Sequence, residues 1–324
     1  MQAIVYSRYG PPDVLECKEI AKPTPADGEI LVRVHTAAVN PYDWHFLRGT
    51  PGFIRLFTGL RRPKFPRLGA DAAGVVEAVG SGTTRLKPGD RVFGVCKGAF
   101  AEYACGKESE LAIIPPDISF EQAASVPIAG TTALQGLRDS GQVKAGQSVL
   151  INGAAGGVGT FAVQIAKALG ATVAGVCSAR NAELICSLGA DRVIDYAQED
   201  FTRGAESFDV IFDLVGNRPL SAMRKALTAR GVFVGCGGGG PDKSGWELMA
   251  GMLGQAIAAR FSSQKLTGVL AKVNTQDLNV LAGMLESGAV RPLISKRYSL
   301  QETAEAARHV ESCHALGKVI ISIA

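Results

Sequence analysis

The run Val149-Leu150-Ile151-Asn152-Gly153-Ala154-Ala155-Gly156-Gly157-Val158-Gly159 constrains this chain more than any other stretch. Three apolar residues enter a glycine cluster, and residues 160–170 follow with apolar positions at helical spacing and a closing Gly170. That pattern is a strand, a tight turn and a helix. Glycines in such a turn let backbone amides approach a pyrophosphate, which the positive end of the helix dipole faces. The flanking strand and helix give the turn the context that a dinucleotide fingerprint requires. Ala155, Gly156, Gly157, Val158 and Gly159 are the expected contacts.

The chain keeps the same rhythm after this point. Ala171-Thr172-Val173-Ala174-Gly175-Val176-Cys177 reads as a second strand, 181–188 as a helix, and Arg192-Val193-Ile194-Asp195-Tyr196 as a short strand. A strand over 208–216, a helix over 220–227 and a strand over 231–235 follow. Buried parallel strands read as continuous apolar runs, and this alternation predicts a doubly wound parallel sheet of the Rossmann type. Beyond it come Gly237-Gly238-Gly239-Gly240, an apolar helix over 246–259, a strand near 264–270 and a helix around 278–285. The glycine run and helix are either a connector with a packing helix or a lid.

Upstream of residue 122 the texture differs. Short alternating runs separated by Pro and Gly predict a compact β domain: Ile4-Val5-Tyr6, 30–35, 74–80, 91–94, 98–104 and 111–115. Helical composition begins at Phe120, so the boundary is placed at 122/123. Residues 1–122 and 271–324 then form one domain and 123–270 the other. Within the first, Val39-Asn40-Pro41-Tyr42-Asp43-Trp44-His45 breaks the strand pattern and reads as a loop bearing polar and aromatic groups, a frequent setting for a site.

Residues 44–70 carry Arg48, Arg55, Arg61, Arg62, Lys64 and Arg67 with no acid, interleaved with Phe53, Ile54, Leu56, Phe57 and Leu60. The segment is a solvated basic loop, a steering surface for an anionic cofactor or for anionic lipid, or a cover over an apolar substrate.

Composition excludes several classes. A net charge of +4 over 324 residues gives little support for nucleic-acid binding. No run of about 18 apolar residues suggests a membrane span, so membrane contact is peripheral at most. Met1-Gln2-Ala3-Ile4-Val5 enters an apolar alternation without the basic and long apolar regions of a secretory signal. The seven cysteines are scattered, with no CxxC pair. Both features lead us to expect reduced thiols and a cytoplasmic location.

Cofactor choice is legible at the tip of the second predicted strand, Val176-Cys177-Ser178-Ala179-Arg180-Asn181. In dinucleotide folds an acid roughly 20 residues after the glycine turn holds the ribose 2′-hydroxyl of NAD. No acid stands here. A hydroxyl and a guanidinium suit a 2′-phosphate that a carboxylate repels. This assigns NADPH, with Ser178 and Arg180 at the 2′-phosphate; the alternatives are Arg180 as a surface charge at a helix start and an NAD enzyme that lacks the acid.

With these segments placed, the chain resembles the zinc-free quinone oxidoreductase and enone (alkenal) reductase branch of the medium-chain dehydrogenase/reductase superfamily. The likeness rests on 39–44, Gly69-Ala70-Asp71-Ala72-Ala73-Gly74-Val75-Val76, Gly89-Asp90-Arg91-Val92-Phe93-Gly94, Ala129-Gly130-Thr131-Thr132-Ala133, the glycine turn and Leu188-Gly189-Ala190-Asp191. It implies a GroES-like β domain plus a Rossmann domain with the active site in the cleft, and a homodimer formed through the strand near 264–270. It also implies cofactor contacts from Asn40 and Thr131, from Gly156 to Gly159, from Tyr196, from Val215 and Gly216, and from Gly235 and Cys236.

Zinc dehydrogenases of that superfamily carry Cys where this chain has Val39-Asn40-Pro41 and Gly-His-Glu where it has Gly69-Ala70-Asp71. Zinc needs converging N and S donors, and His35, His45, His309, His314 and the dispersed cysteines offer no such spacing. Without a Lewis acid, the natural substrate is an acceptor that is already electrophilic: a quinone or an α,β-unsaturated carbonyl. Negative charge then appears on oxygen and needs a hydrogen-bond or proton donor. His45 and Tyr42 compete for that role. Asp71 is expected to cap local backbone. The alternative from another class is a non-catalytic NADPH-binding protein of the same fold, since fold does not fix function.

Overall fold

The computed structural model describes residues 1–236 and 263–323. The chain divides into two compact units. One comprises Met1–Thr131, Lys272–Gly288 and Pro292–Ala324, the other Thr132–Ala271 and Ala289–Arg291.

The first unit starts with β1 (Gln2–Val5) and β2 (Glu16–Glu19), a two-stranded antiparallel ribbon. Its main sheet contains β3 (Glu29–Val39), β4 (Asp71–Val79), β5 (Arg91–Val95), β6 (Tyr103–Lys107) and β7 (Leu111–Ile113). The C-terminal part of the chain adds two more strands, introduced below. The eleven-residue β3 is the spine. Its register shifts after Leu31 and after Val34, and such bulges bend a strand so that it can serve several partners. Ile30, Val34, Leu47, Phe100, Leu111 and Ile321 pack the core beside it.

The second unit is a six-stranded, wholly parallel sheet, as the apolar runs predict. In chain order its strands are β8 (Ser148–Asn152), β9 (Thr172–Cys177), β10 (Arg192–Asp195), β11 (Phe208–Asp213), β12 (Leu227–Gly235) and β13 (Lys265–Gly268), in spatial order β10-β9-β8-β11-β12-β13. The order reverses between β8 and β11. That is the topological switch point, where open α/β sheets bind ligands at the carboxyl ends of their strands. β13 lies at one edge of the sheet.

The chain then completes the first sheet with β14 (Ile294–Ser299) and β15 (Lys318–Ser322); β15 pairs antiparallel with β3 and parallel with β14. Two local expectations change. Residues 41–48 form a helix, Pro41–Arg48, where the sequence pattern suggested a loop. Pro41 supplies the preset φ of a first helical residue, and the Asp43 carboxylate accepts the Asn40 amide at 2.8 Å, one half of a capping box. The helix beginning at Phe120 packs on the first unit's sheet, with its ring stacked on His35 at 4.3 Å. The division therefore falls further along, at Thr131 within helix Pro127–Gln135. The expected glycine run and helix of 237–240 and 246–259 lie outside the described residues.

Candidate functional site

In the second unit the glycine turn has the geometry that a pyrophosphate needs. Gly153 leaves β8 at φ +90°, a conformation that L side chains rarely adopt. Helix Gly157–Ala168 begins after Gly156, and the amides of its first turn have no partner within the helix. A side chain on Gly156 would meet nothing nearer than the Gly153 carbonyl at 3.5 Å, so the turn is open on that side. Gly159 does a different job. A Cβ there would sit 2.1 Å from the Gly153 carbonyl, so this glycine lets the helix pack against the turn.

At the switch point, the register sets Asn152 at the end of β8 opposite Asp213 at the end of β11. The buried Asp213 Oδ1 accepts from Asn152 Nδ2 at 2.8 Å and from the amides of Val215 at 3.1 Å and Gly216 at 3.0 Å. Its carbonyl accepts the Cys236 amide at 2.8 Å. Asp213 thus fixes the glycine-turn strand and the 215–216 loop through its carboxylate, and residue 236 through its backbone carbonyl. Burial, then the nearby Asp213, pushes the Cys236 thiol up to about 12, so it stays protonated. Asn152 and Asp213 are polar ends of apolar strands, a signal that sequence reading passed over.

Ser178, Arg180 and Tyr196 follow β9 and β10, whose ends pair at Cys177 and Asp195. Arg180 and Tyr196 are exposed and Ser178 is half-buried. Asp195 lies nearby, but its Oδ1 accepts the Ala197 amide within its own turn.

In the first unit, antiparallel register builds a buried ionic cluster. Val39 pairs with Val319 and Ala38 with Asp71, so Asn40 emerges from β3 between Lys318 and Asp71. Lys318 Nζ donates to Asn40 Oδ1 at 2.6 Å and lies 3.6 Å from Asp71 Oδ2. Asn40 Nδ2 donates to Asp71 Oδ2 at 2.9 Å and to the Ala38 carbonyl at 3.3 Å. The second oxygen of Asp71 accepts the Ile128 amide at 3.0 Å, the backbone capping expected of it. All four side chains of Asn40, Asp43, Asp71 and Lys318 are buried. Burial raises the pKa of both carboxyls, Asp43 to about 7, and lowers that of the Lys318 ammonium, which the carboxylates oppose. Sequence reading missed Lys318, although a lysine heading the apolar run 319–321 was there to be seen.

The pKa of Asp43 sets a pH dependence. A carboxyl raised in the folded state binds its proton more tightly there than in the unfolded chain. The stability this gives is present at low pH and is lost as pH rises towards and through about 7. Asp43→Asn keeps an acceptor for the Asn40 amide and removes the titration. Relative to that variant, the native chain is expected to lose about 2 kcal/mol between pH 5 and pH 8, measured by urea unfolding. A constant difference across that range would rule the effect out.

The two candidate donors lie on helix Pro41–Arg48. His45 Nδ1 sits 2.9 Å from the Thr50 carbonyl. A carbonyl only accepts, so Nδ1 carries the proton and the neutral ring offers a lone pair at Nε2. Burial holds the His45 pKa below its usual value, and in that neutral state it has no proton to give at Nε2. Tyr42 is 45% exposed and packs on Phe46 at 4.2 Å. Burial, then the Asp43 charge, raises its pKa, so it remains a phenol. Thr131, on helix Pro127–Gln135, is buried with its hydroxyl unpartnered among the described residues. Within the second unit, the open turn and the first-turn amides suit the pyrophosphate of a dinucleotide.

Comparisons with known proteins agree. Residues 26–116 match the alcohol dehydrogenase GroES-like domain, and residues 188–321 match a family described as zinc-binding dehydrogenase. The quinone oxidoreductase of Rattus norvegicus is 32% identical over 332 residues, covering 98% of this chain and 96% of the relative.

The chain belongs to the medium-chain dehydrogenase/reductase superfamily.

It falls in the quinone oxidoreductase and enone reductase branch. The 2-methylene-furan-3-one reductase of Solanum lycopersicum is 34% identical over 336 residues, covering 99% of this chain and 79% of the relative. The structure of Escherichia coli quinone oxidoreductase complexed with NADPH superimposes with a TM-score of 0.85 at 29% identity, covering 99% of this chain and 100% of the other. This superfamily member is accordingly an oxidoreductase. No helix among the described residues is long and apolar enough to cross a membrane.

Proposed function

We propose that the chain is an NADPH-dependent reductase that passes hydride to a quinone or an α,β-unsaturated carbonyl without a metal. The observation that carries this reading is the Lys318 ammonium lying between Asn40 and Asp71. Those two residues stand in the motif slots where zinc dehydrogenases carry Cys and Glu. Here their polar atoms are engaged by a lysine, and no metal donor set is left between them. An ammonium this deeply buried is no Lewis acid for an alcohol oxygen, so the acceptor must already be electrophilic. Metal analysis of purified protein is expected to find no stoichiometric zinc; one zinc per chain would overturn the metal-free part of the proposal.

Asn40, Thr131, Gly156 to Gly159, Val215, Gly216, Gly235 and Cys236 are proposed to hold the nicotinamide, pyrophosphate and adenosine portions. Ser178, Arg180 and Tyr196 receive the 2′-phosphate end. Bound NADPH supplies the hydride. The protein orients the acceptor and meets the negative charge that gathers on its oxygen. Tyr42 is the donor we assign, because its hydroxyl keeps its proton where neutral His45 has none to give. His45 instead secures the turn at Thr50. The edge strand β13 is the proposed homodimer contact, and the compartment is proposed to be the cytoplasm.

Steady-state NADPH oxidation with added quinone or enal tests the reaction. Tyr42→Phe is expected to lower kcat about 100-fold with NADPH affinity kept, and His45→Asn to change kcat far less. Tight NADPH binding with no turnover of any acceptor would instead make this a binding protein.

A further inference from the structure

Helix Ile54–Thr58 and the residues around it have two distinct faces. The inner face is tied down. Arg55 donates to the carbonyls of Gly49 and Arg48, both at 3.1 Å, and lies over the Tyr9 ring at 4.8 Å. The Thr58 hydroxyl donates to the Ile54 carbonyl at 3.0 Å and is 2.7 Å from the Tyr9 hydroxyl, while the Lys64 amide bonds the Thr58 carbonyl at 2.7 Å. The outer face is apolar and faces water: Phe53, Leu56, Phe57 and Leu60, the last three 65%, 77% and 68% exposed. Soluble proteins rarely leave a contiguous group of large apolar side chains in water without a partner for it. Here the backbone is pinned in place while the apolar face is held outward.

The charge beside this face selects the partner. Arg61, Arg62 and Lys64 are exposed next to it. Arg67 and Lys97 flank the Phe65 ring at 4.6 and 4.1 Å. None of these five cations forms an ion pair among the described residues, and residues 44–70 contain no acid. Apolar side chains projecting between unpaired cations match a surface whose interior is hydrocarbon and whose face is anionic. We propose that residues 53–64, with Arg67 and Lys97, dock the protein peripherally on an anionic lipid bilayer. Leu56, Phe57 and Leu60 enter the headgroup boundary, and the cations meet the lipid phosphates. Docking keeps the protein where lipophilic acceptors dissolve; that benefit rests on the proposed reaction, but the binding does not.

Co-sedimentation of the full chain with vesicles tests this directly, in buffer without cofactor or acceptor. Vesicles of phosphatidylcholine mixed with phosphatidylglycerol are expected to carry the protein down at low salt, and vesicles of phosphatidylcholine alone are not. Raising salt should release it. Each basic residue near an anionic surface strengthens binding about fivefold, so Arg61→Glu/Arg62→Glu should weaken it by at least about tenfold. Leu56→Ser/Phe57→Ser should weaken it about as much. Circular dichroism and Tm check that both pairs remain folded. Equal binding to both vesicle types, no binding to anionic vesicles at low salt, or anionic binding indifferent to both variant pairs would each overturn the proposal. So would conversion of a dimer to monomers by Leu56→Ser/Phe57→Ser, which would make the face a contact between copies of this chain.

Discussion

Lys318→Met is expected to destabilise the protein by about 3–5 kcal/mol, the usual cost of removing one partner from a buried ion pair. The substitution roughly preserves volume, so packing is a small part of that cost. What remains is a buried Asp71 without its cation, and an Asn40 carbonyl oxygen without its donor. Equilibrium unfolding in urea measures the loss. Asp71→Asn in the same chain removes the stranded charge, so the double variant should recover much of the stability. That recovery separates an uncompensated charge from a simple packing defect. A single variant within about 1 kcal/mol of the native protein would show that the cluster contributes little.

Arg180→Glu is expected to raise the KM for NADPH about 100-fold and to leave that for NADH within a few-fold. Losing a charge-assisted hydrogen bond costs about 1.5–3 kcal/mol, and the new carboxylate repels a 2′-phosphate that NADH lacks. Arg180 is exposed beyond the end of β9, so its replacement should not disturb the fold. Steady-state kinetics with both cofactors gives the comparison. Equal losses for the two would remove Arg180 from the 2′-phosphate site and with it the argument for NADPH.

The second unit was the more legible in sequence. Its strands are buried in a parallel sheet, so each appears as an unbroken apolar run such as Val149-Leu150-Ile151 or Val210-Ile211-Phe212. The glycine turn adds a local signature, because Gly153 and Gly159 answer backbone and packing demands that few other residues meet. The first unit was harder to read. Its strands are short and its polar residues have partners far along the chain. The stretch 39–45 looked like a loop because the polar residues of a capped helix start resemble loop chemistry. Only the cap geometry at Asn40 and Asp43 separates the two.

The Asn40–Asp71–Lys318 cluster was beyond sequence reading for a related reason. Asn40 and Lys318 are 278 positions apart. They meet because β15 returns to pair with β3, and a shift of one residue in that register would turn Lys318 to the other face. Likewise, exposure divided Phe53, Leu56 and Phe57 from Arg55 on a single turn of helix, where the sequence shows only alternating basic and apolar residues.

Local chemistry was therefore legible in the sequence alone: a glycine turn between a strand and a helix, and a second-strand tip without an acid. These depend on neighbouring residues and on what is missing from a motif, and both are visible in one dimension. Tertiary structure decided which polar groups spend their hydrogen bonds on each other and which stay available. Asn40 became part of a lysine-centred cluster, His45 was committed to Thr50, and Asp213 became the anchor of two loops. Hydrogen bonds and buried charges depend on distance in space, and strand register sets that distance.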